Sequence, residues 1–321
     1  MSASDALAKA NAHCATLVRE HARDEWLGAL YAPPARRDGL VALAAFDYEI
    51  RQARFRARDP NLVAMRLAWR RDVLLGERRE EGSGDPVMLA LSSAVVAHGL
   101  PGAEFEAMLD ARLQELQPQD DFTFHAFESF SDESEGARLR LAARICGGRE
   151  DDEVRVDLPA GAALALTRML LELPARAGAA PTLFPVDIAE RHGASLSDFD
   201  ARRATPGVRA ACAEMRALAR EKLTEAERRL APPIRHREPR RGATIQTDAE
   251  RPSASGWLRA ARDNVSALPG SAAEILPAFV PLGALRLDLD ALDRTTDPFT
   301  PIRNASPLRR QWAIWRWARA T

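Results

Sequence analysis

Apolar residues return every three to four positions through most of this chain, the spacing that lines one face of a helix. The pattern predicts helices over 3–22, 37–56, 60–76, 85–98, 101–116, 121–147, 158–173, 206–230, 253–266, 271–292 and 306–319. Punctuation supports these boundaries. "APP" at 32–34 breaks the chain before the second helix, and "HGLPG" at 98–102 ends one helix and begins another. Within "GSGDP" at 82–86, Asp85 is placed to cap a helix whose first residue is Pro86. "SLSDFD" at 195–200 reads as a short capped turn. Ala and Leu far outnumber Val and Ile, and no run of alternating polar and apolar residues forms a strand ladder. The expected fold is all-α, a bundle of packed helices in one domain over 1–321. Residues 232–256, polar, basic and rich in Pro, Gly and Ser, interrupt the pattern and are expected to form a flexible polar insertion.

Composition narrows the function more than the fold. With 321 residues, 46% hydrophobic and 28% charged, the chain is long enough to bury a large core. A net charge of −1 gives no basic field for nucleic acid, so no nucleic-acid partner is expected. Of 45 basic residues only Lys9 and Lys222 are lysines; the rest are arginines, which stay charged and cannot serve as Schiff-base or general-base groups. Cys14, Cys146 and Cys212 are far apart and lack CxxC spacing, so they read as buried small hydrophobes in a reducing compartment. Charges interrupt the N-terminal stretch as a signal peptide, and the most apolar run, 275–285, is too short to span a bilayer. A cytoplasmic protein is expected, with peripheral membrane attachment as an alternative.

Familiar catalytic motifs are missing: no GxGxxG, Walker loop, GxSxG or HExxH. His13, Cys14 and His21 lack a fourth metal ligand, and "DDE" at 151–153 reads as a solvated loop.

Three segments carry a resemblance. "LGALYAPPARRDGLVALAAF" (27–46) holds a double proline, an arginine pair and a small-residue helix ending in Ala-Phe, on Pro33, Pro34, Arg36, Arg37, Ala45 and Phe46. "GAALALTRMLLELPARAGAAPTLFP" (161–185) matches without a gap at Gly161, Ala163, Leu166, Thr167, Leu170 and Pro185. Together with "RLAWRRDVL" (66–74) and the terminal "SPLRRQWAIWRWARA", they make the chain resemble the squalene/phytoene synthase family over nearly its whole length. That resemblance implies an isoprenoid (terpenoid) synthase-type helical bundle around a central cavity. It also implies head-to-head joining of isoprenyl diphosphates, with two acidic helical motifs holding Mg²⁺ against the leaving diphosphate.

Aligned on those segments, the family's acidic positions fall on Arg51, Gln52 and Phe55, and on Glu172, Ala175 and Arg176. Its asparagine and glutamine positions fall on Arg168 and Ala165. A guanidinium in place of a carboxylate repels the metal: a unit charge ~4 Å away costs about 4 kcal/mol at an effective dielectric of ~20. Asp47 and Glu49 lie one turn earlier, but a spacing of two points them to different helix faces; pairing with Arg51 and Arg54 is expected instead.

No metal or catalytic residue is therefore expected, and the resemblance is strongest to the branch with eroded acidic motifs that includes a respiratory complex I assembly factor. The leading expectation is a catalytically degenerate binding or assembly-type protein, with Arg51, Arg54, Arg168, Glu172 and Arg176 as candidate ligand-binding residues. Two arrangements stay open: a cavity relined with arginine that grips an anionic lipid, an isoprenoid or an acidic protein segment, or arginine–carboxylate pairs that plug it. The rival is an active prenyltransferase that uses Mg²⁺ and other acids. A third reading rests on the last helix, where Trp312, Trp315 and Trp317 with Arg309, Arg310, Arg316 and Arg319 suit a membrane surface or a respiratory complex; docking of that helix on the core is the plainer alternative.

Overall fold

In the computed structural model, residues 2–57, 59–117, 120–148, 155–176, 183–231, 270–303 and 305–321 are described. The expected helix at 253–266, the insertion at 232–256 and the acidic triplet at 151–153 lie outside them. The described residues are helical without a strand. In order they form α1 (Ala3–His21), α2 (Arg23–Tyr31), α3 (Pro34–Arg56), α4 (Pro60–Leu75), α5 (Arg79–Gly82), α6 (Pro86–His98) and α7 (Gly102–Gln114). Then follow α8 (Phe124–Ser131), a π turn (Asp132–Gly136), α9 (Ala137–Cys146), α10 (Asp157–Arg176), α11 (Val186–Arg191), α12 (Leu196–Asp200) and α13 (Pro206–Leu230). The last elements are α14 (Gly270–Phe279), a 3₁₀ turn (Val280–Ala284), α15 (Leu285–Asp293) and α16 (Pro307–Ala320).

The expected caps are in place. Asp85 accepts from the amides of Val87 and Met88, and Ser195 forms a capping box with Asp198. Two expectations need correction. The helix expected over 121–147 is continuous over 124–146 but carries a π turn within it, and that over 271–292 is interrupted by the 3₁₀ turn. Sequence reading also missed α2, a nine-residue helix closed by one arginine of the pair: Arg37 donates to the carbonyls of Leu30 and Ala32, while Arg36 pairs with His98. Those carbonyls are orphan acceptors of the α2 C-terminus, which gives the "PPARR" motif a structural cause.

Two long helices organise the core. α3 packs against α1, α2, α6 and α9, and buries Leu43, Ala45, Phe46 and Ile50. α10 packs against α13 and the π turn. Gly161 is required there, because a Cβ on it would stand 2.8 Å from the Gly136 amide nitrogen. The three cysteines are free and buried, and burial pushes each thiol up to about 12, so none is a nucleophile at neutral pH.

Candidate functional site

Where α3 and α10 face each other, the core turns from apolar to ionic. α3 sends Asp47, Arg51 and Arg54 inward at i, i+4 and i+7, and α10 sends Arg168, Glu172 and Arg176 at i, i+4 and i+8. The end of α7 adds Arg112 and Glu115; the π turn and α9 add Glu135 and Arg138; α2 adds Glu25. Six arginines thus meet five carboxylates.

Each carboxylate has at least one guanidinium on it. Arg54 bridges helices, with Nη1 2.6 Å from Glu115 Oε2 and Nη2 2.7 Å from Glu172 Oε2. Arg176 reaches Glu172 at 2.8 Å and Glu115 at 3.6 Å. Arg112 donates to Glu115 at 2.7 Å. On the other side, Arg168 pairs with Glu135 and with Glu25 at 2.6 Å, and lies 3.8 Å from Asp47. Arg138 donates to Glu135 at 2.9 Å, and Arg51 to Asp47 at 2.9 Å.

The electrostatics follow from this interleaving. Burial alone would raise the Glu135 carboxyl, but Arg168 and Arg138 outweigh it and hold the group well below the usual carboxylate range. Burial also opposes ionisation of Glu172, yet Arg176, Arg54 and Arg51 bring it down to about 2. Burial lowers Arg54 to about 10, despite Glu115 and Glu172, and it stays charged at neutral pH. The centre is a compensated ionic lattice, and little space is left in it. Among the described residues, the cavity lined by Arg51, Arg112, Glu172 and Arg176 measures about 20 Å³. That suits a single water and not a prenyl chain or a lipid headgroup. Arg112 and Arg176, which line it, each keep one buried guanidinium nitrogen, Nε and Nη1, without a hydrogen-bond partner.

The five candidate ligand-binding residues, Arg51, Arg54, Arg168, Glu172 and Arg176, do converge on this one cluster. Of the other aligned positions, Ala165 lines its small cavity, whereas Phe55 and Ala175 are exposed. Arg51 and Glu172 line the same cavity, but the partners of Glu172 are Arg54 and Arg176. The pairing expected within α3 is half right: Asp47 takes Arg51, whereas Arg54 leaves the helix for α7 and α10. Glu49 points away and pairs with Arg70 of α4 at 2.8 Å. Sequence reading missed Glu25, Arg112, Glu115, Glu135 and Arg138. The available signal was charge inside an apolar stripe: Arg112 follows Phe105, Met108 and Leu109 at helical spacing, and Arg138 precedes Leu141, Ala142 and Ile145.

As to metal, no three His, Cys, Asp or Glu side chains converge as a site among the described residues. Carboxylates of the cluster already accept from arginine, and six guanidiniums against five acids leave the centre cationic; the residues present do not fit Mg²⁺. His13 and Cys14 do not combine either: His13 is exposed and the Cys14 thiol is buried, while His21 stacks on Tyr48 at 4.9 Å.

Helices wrapped about a closed-off centre define an isoprenoid synthase-type architecture. Solved structures share it: squalene synthase HpnC from Alicyclobacillus acidocaldarius has a TM-score of 0.63 at 19% identity, covering 92% of this chain and 98% of that one. A dehydrosqualene synthase in complex with ligand has 0.67 at 14% identity, covering 99% and 98%. YisP from Bacillus subtilis has 0.62 at 14%, covering 97% of each.

The chain belongs to the squalene/phytoene synthase family, whose profile matches residues 18–316. It is also distantly similar to NADH dehydrogenase (ubiquinone) complex I, assembly factor 6. The mouse protein is 22% identical and the human protein 23% identical, each over 197 residues that cover 61% of this chain. The chain spans 59% of the length of these curated relatives.

Proposed function

We propose that this chain is a catalytically degenerate member of its family that acts as a binding or assembly-type protein. One observation carries the reading: the space between α3 and α10 is filled by arginine–carboxylate pairs, leaving about 20 Å³. A prenyltransferase must admit a long apolar chain and neutralise a departing diphosphate there; metal-held charge is the usual means. This centre offers neither volume nor free carboxylate. Its arginines serve as internal struts, so the anionic lipid, isoprenoid or acidic segment expected from sequence has no berth at that point. The similarity to complex I assembly factor 6 supports an assembly role, with a respiratory complex as the partner.

The purified chain, shown to be folded by a cooperative melt, is incubated with farnesyl or geranylgeranyl diphosphate and Mg²⁺. No pyrophosphate release is expected, and metal-dependent release or a condensed hydrocarbon would overturn the reading. In the organism that makes the chain, its deletion is expected to lower assembled NADH dehydrogenase on native gels. Unchanged assembly would remove the respiratory partner from the proposal.

A further inference from the structure

The last helix uses its arginines in a way nothing in the centre explains. α16 docks on the 3₁₀ turn Val280–Ala284 and on α2. Gly283 lets it close in, because a Cβ there would meet Trp317 Cβ at 2.8 Å. Its inner face is fully accounted for. Ile314, Trp317 and Ala318 are buried, and the Trp317 indole donates to Glu227 at 3.0 Å. Arg310 turns inward to Asp24 and, at 2.5 Å, to Asp288.

The outer face is of another kind. Leu308, Trp312, Arg316 and Arg309 fall within about 100° of one another at ~100° per residue, whereas Trp315 is half-buried against the core. Leu308 is 79% exposed and Trp312 47%. Arg316 lies over the Trp312 ring at 4.8 Å, and Arg319 over that of Trp315 at 4.8 Å. Residues 306–321 contain no acid. The acids beneath the helix, Asp24, Asp288 and Glu227, are engaged on its inner side.

We propose that this outer face of α16 docks the protein on an anionic phospholipid bilayer. The chemistry matches an interface. Indoles prefer the headgroup level, where one edge is apolar and the other wet. The Arg316 guanidinium stacked on the Trp312 ring is held toward the same plane and, with Arg309, meets lipid phosphates. No helix among the described residues is long and apolar enough to cross a membrane, so the attachment is peripheral. The apolar part is small, which makes binding depend on anionic lipid and weaken with salt. An acidic protein segment would use the arginines, but it gives no reason for Leu308 and Trp312 to stand bare on a convex helix. This inference does not rest on the loss of catalysis, since an active enzyme could carry the same face.

The full-length protein is floated with vesicles of phosphatidylcholine alone or mixed with phosphatidylglycerol, at low and high salt. Flotation is expected with the mixed vesicles at low salt and not with the neutral ones. Leu308→Ser combined with Trp312→Ser is expected to lower binding at least about tenfold, given the area lost. Arg309→Gln and Arg316→Gln are each expected to weaken it about fivefold. All variants are checked for an unchanged melting temperature. No flotation at low salt, equal binding to neutral vesicles, or undiminished binding by folded variants would overturn the proposal. So would preference for soluble polyglutamate over the mixed vesicles.

Discussion

The buried cluster between α3 and α10 and the outer face of α16 are both rich in arginine, yet the two regions put the same side chain to opposite uses. In the cluster, Arg54, Arg168 and Arg176 bridge carboxylates from different helices, out of contact with solvent or nearly so. On α16, Arg316 leans on the Trp312 indole with no acid in the segment. A guanidinium that cannot be discharged must be paired when buried, and is free to recruit a ligand only when it is not. Arginine content therefore says nothing about binding until the acids around it are located.

The sharpest break in this comparison comes from removing one member of the buried lattice. Glu135→Ala takes from Arg138 its hydrogen-bonded carboxylate and leaves Arg168 hydrogen-bonded to Glu25 alone, and Arg168→Ala strands Glu25 and leaves Glu135 to Arg138. Each is expected to cost about 3–5 kcal/mol, because the unpaired charge stays buried. Urea unfolding measures it, and a loss under about 1 kcal/mol would show that the lattice is not holding α10 to the π turn.

Acid should do the same job gradually. Glu172 has an ordinary value of 4.5 and is held at about 2 in the folded chain. A group lowered on folding stabilises the protein fully above its unfolded value and loses that contribution as pH falls through the folded one. Stability is thus expected to decline between about pH 5 and pH 2, with Glu172 accounting for on the order of 3 kcal/mol. In Glu172→Gln that part of the pH dependence should vanish. A variant with the wild-type acid profile would reassign it to Glu115 and Glu135, which other arginine contacts of the cluster also lower.

At the boundary between the two regions sits Arg310, on α16 but paired inward. Arg310→Ala leaves Asp24 and Asp288 facing each other and is expected to cost about 2 kcal/mol, less than loss of Arg54 or Arg176, which are more deeply buried. Thermal melting of the variant measures it. Its helix should loosen before the rest, read as faster amide exchange in α16 than in α3.

How much of this the sequence displayed follows the range of each interaction. Helix periodicity, the Asp85 cap and the Ser195 turn are local, and each was legible. So was the Asp47–Arg51 pair, one turn apart on one helix. The register with family motifs pointed to Arg51, Arg54, Arg168, Glu172 and Arg176 as neighbours. It could not show that Arg54 crosses to Glu115 or that Glu135 enters the centre. The first depends on the approach of α7 to α3 in space, and the second on the π turn, which adds a residue to the helical winding and carries no Pro to announce it. The 121–147 segment read as one helix for that reason. On α16, Trp312 and Trp315 share a face, and periodicity alone could not say whether that face turns in or out; in the fold Trp317 is buried, Trp315 is half-buried against the core and Trp312 is exposed.

The smallest stability effect is expected from the largest exposed side chains. Leu308 and Trp312 touch solvent over most of their outer surface, so Leu308→Ser and Trp312→Ser should each shift stability by less than about 0.5 kcal/mol. Trp317, five residues on and 9% exposed, packs on Gly283 and holds Glu227; Trp317→Ala should cost about 3 kcal/mol or more. Urea midpoints of the variants test this directly. If Trp312→Ser destabilises as Trp317→Ala does, the outer face is part of the core's support and its exposure in isolation means little. If Trp312→Ser leaves the midpoint unmoved, the indole is kept for something outside the chain, and the cost of leaving it bare must be recovered in a contact the folded monomer does not make.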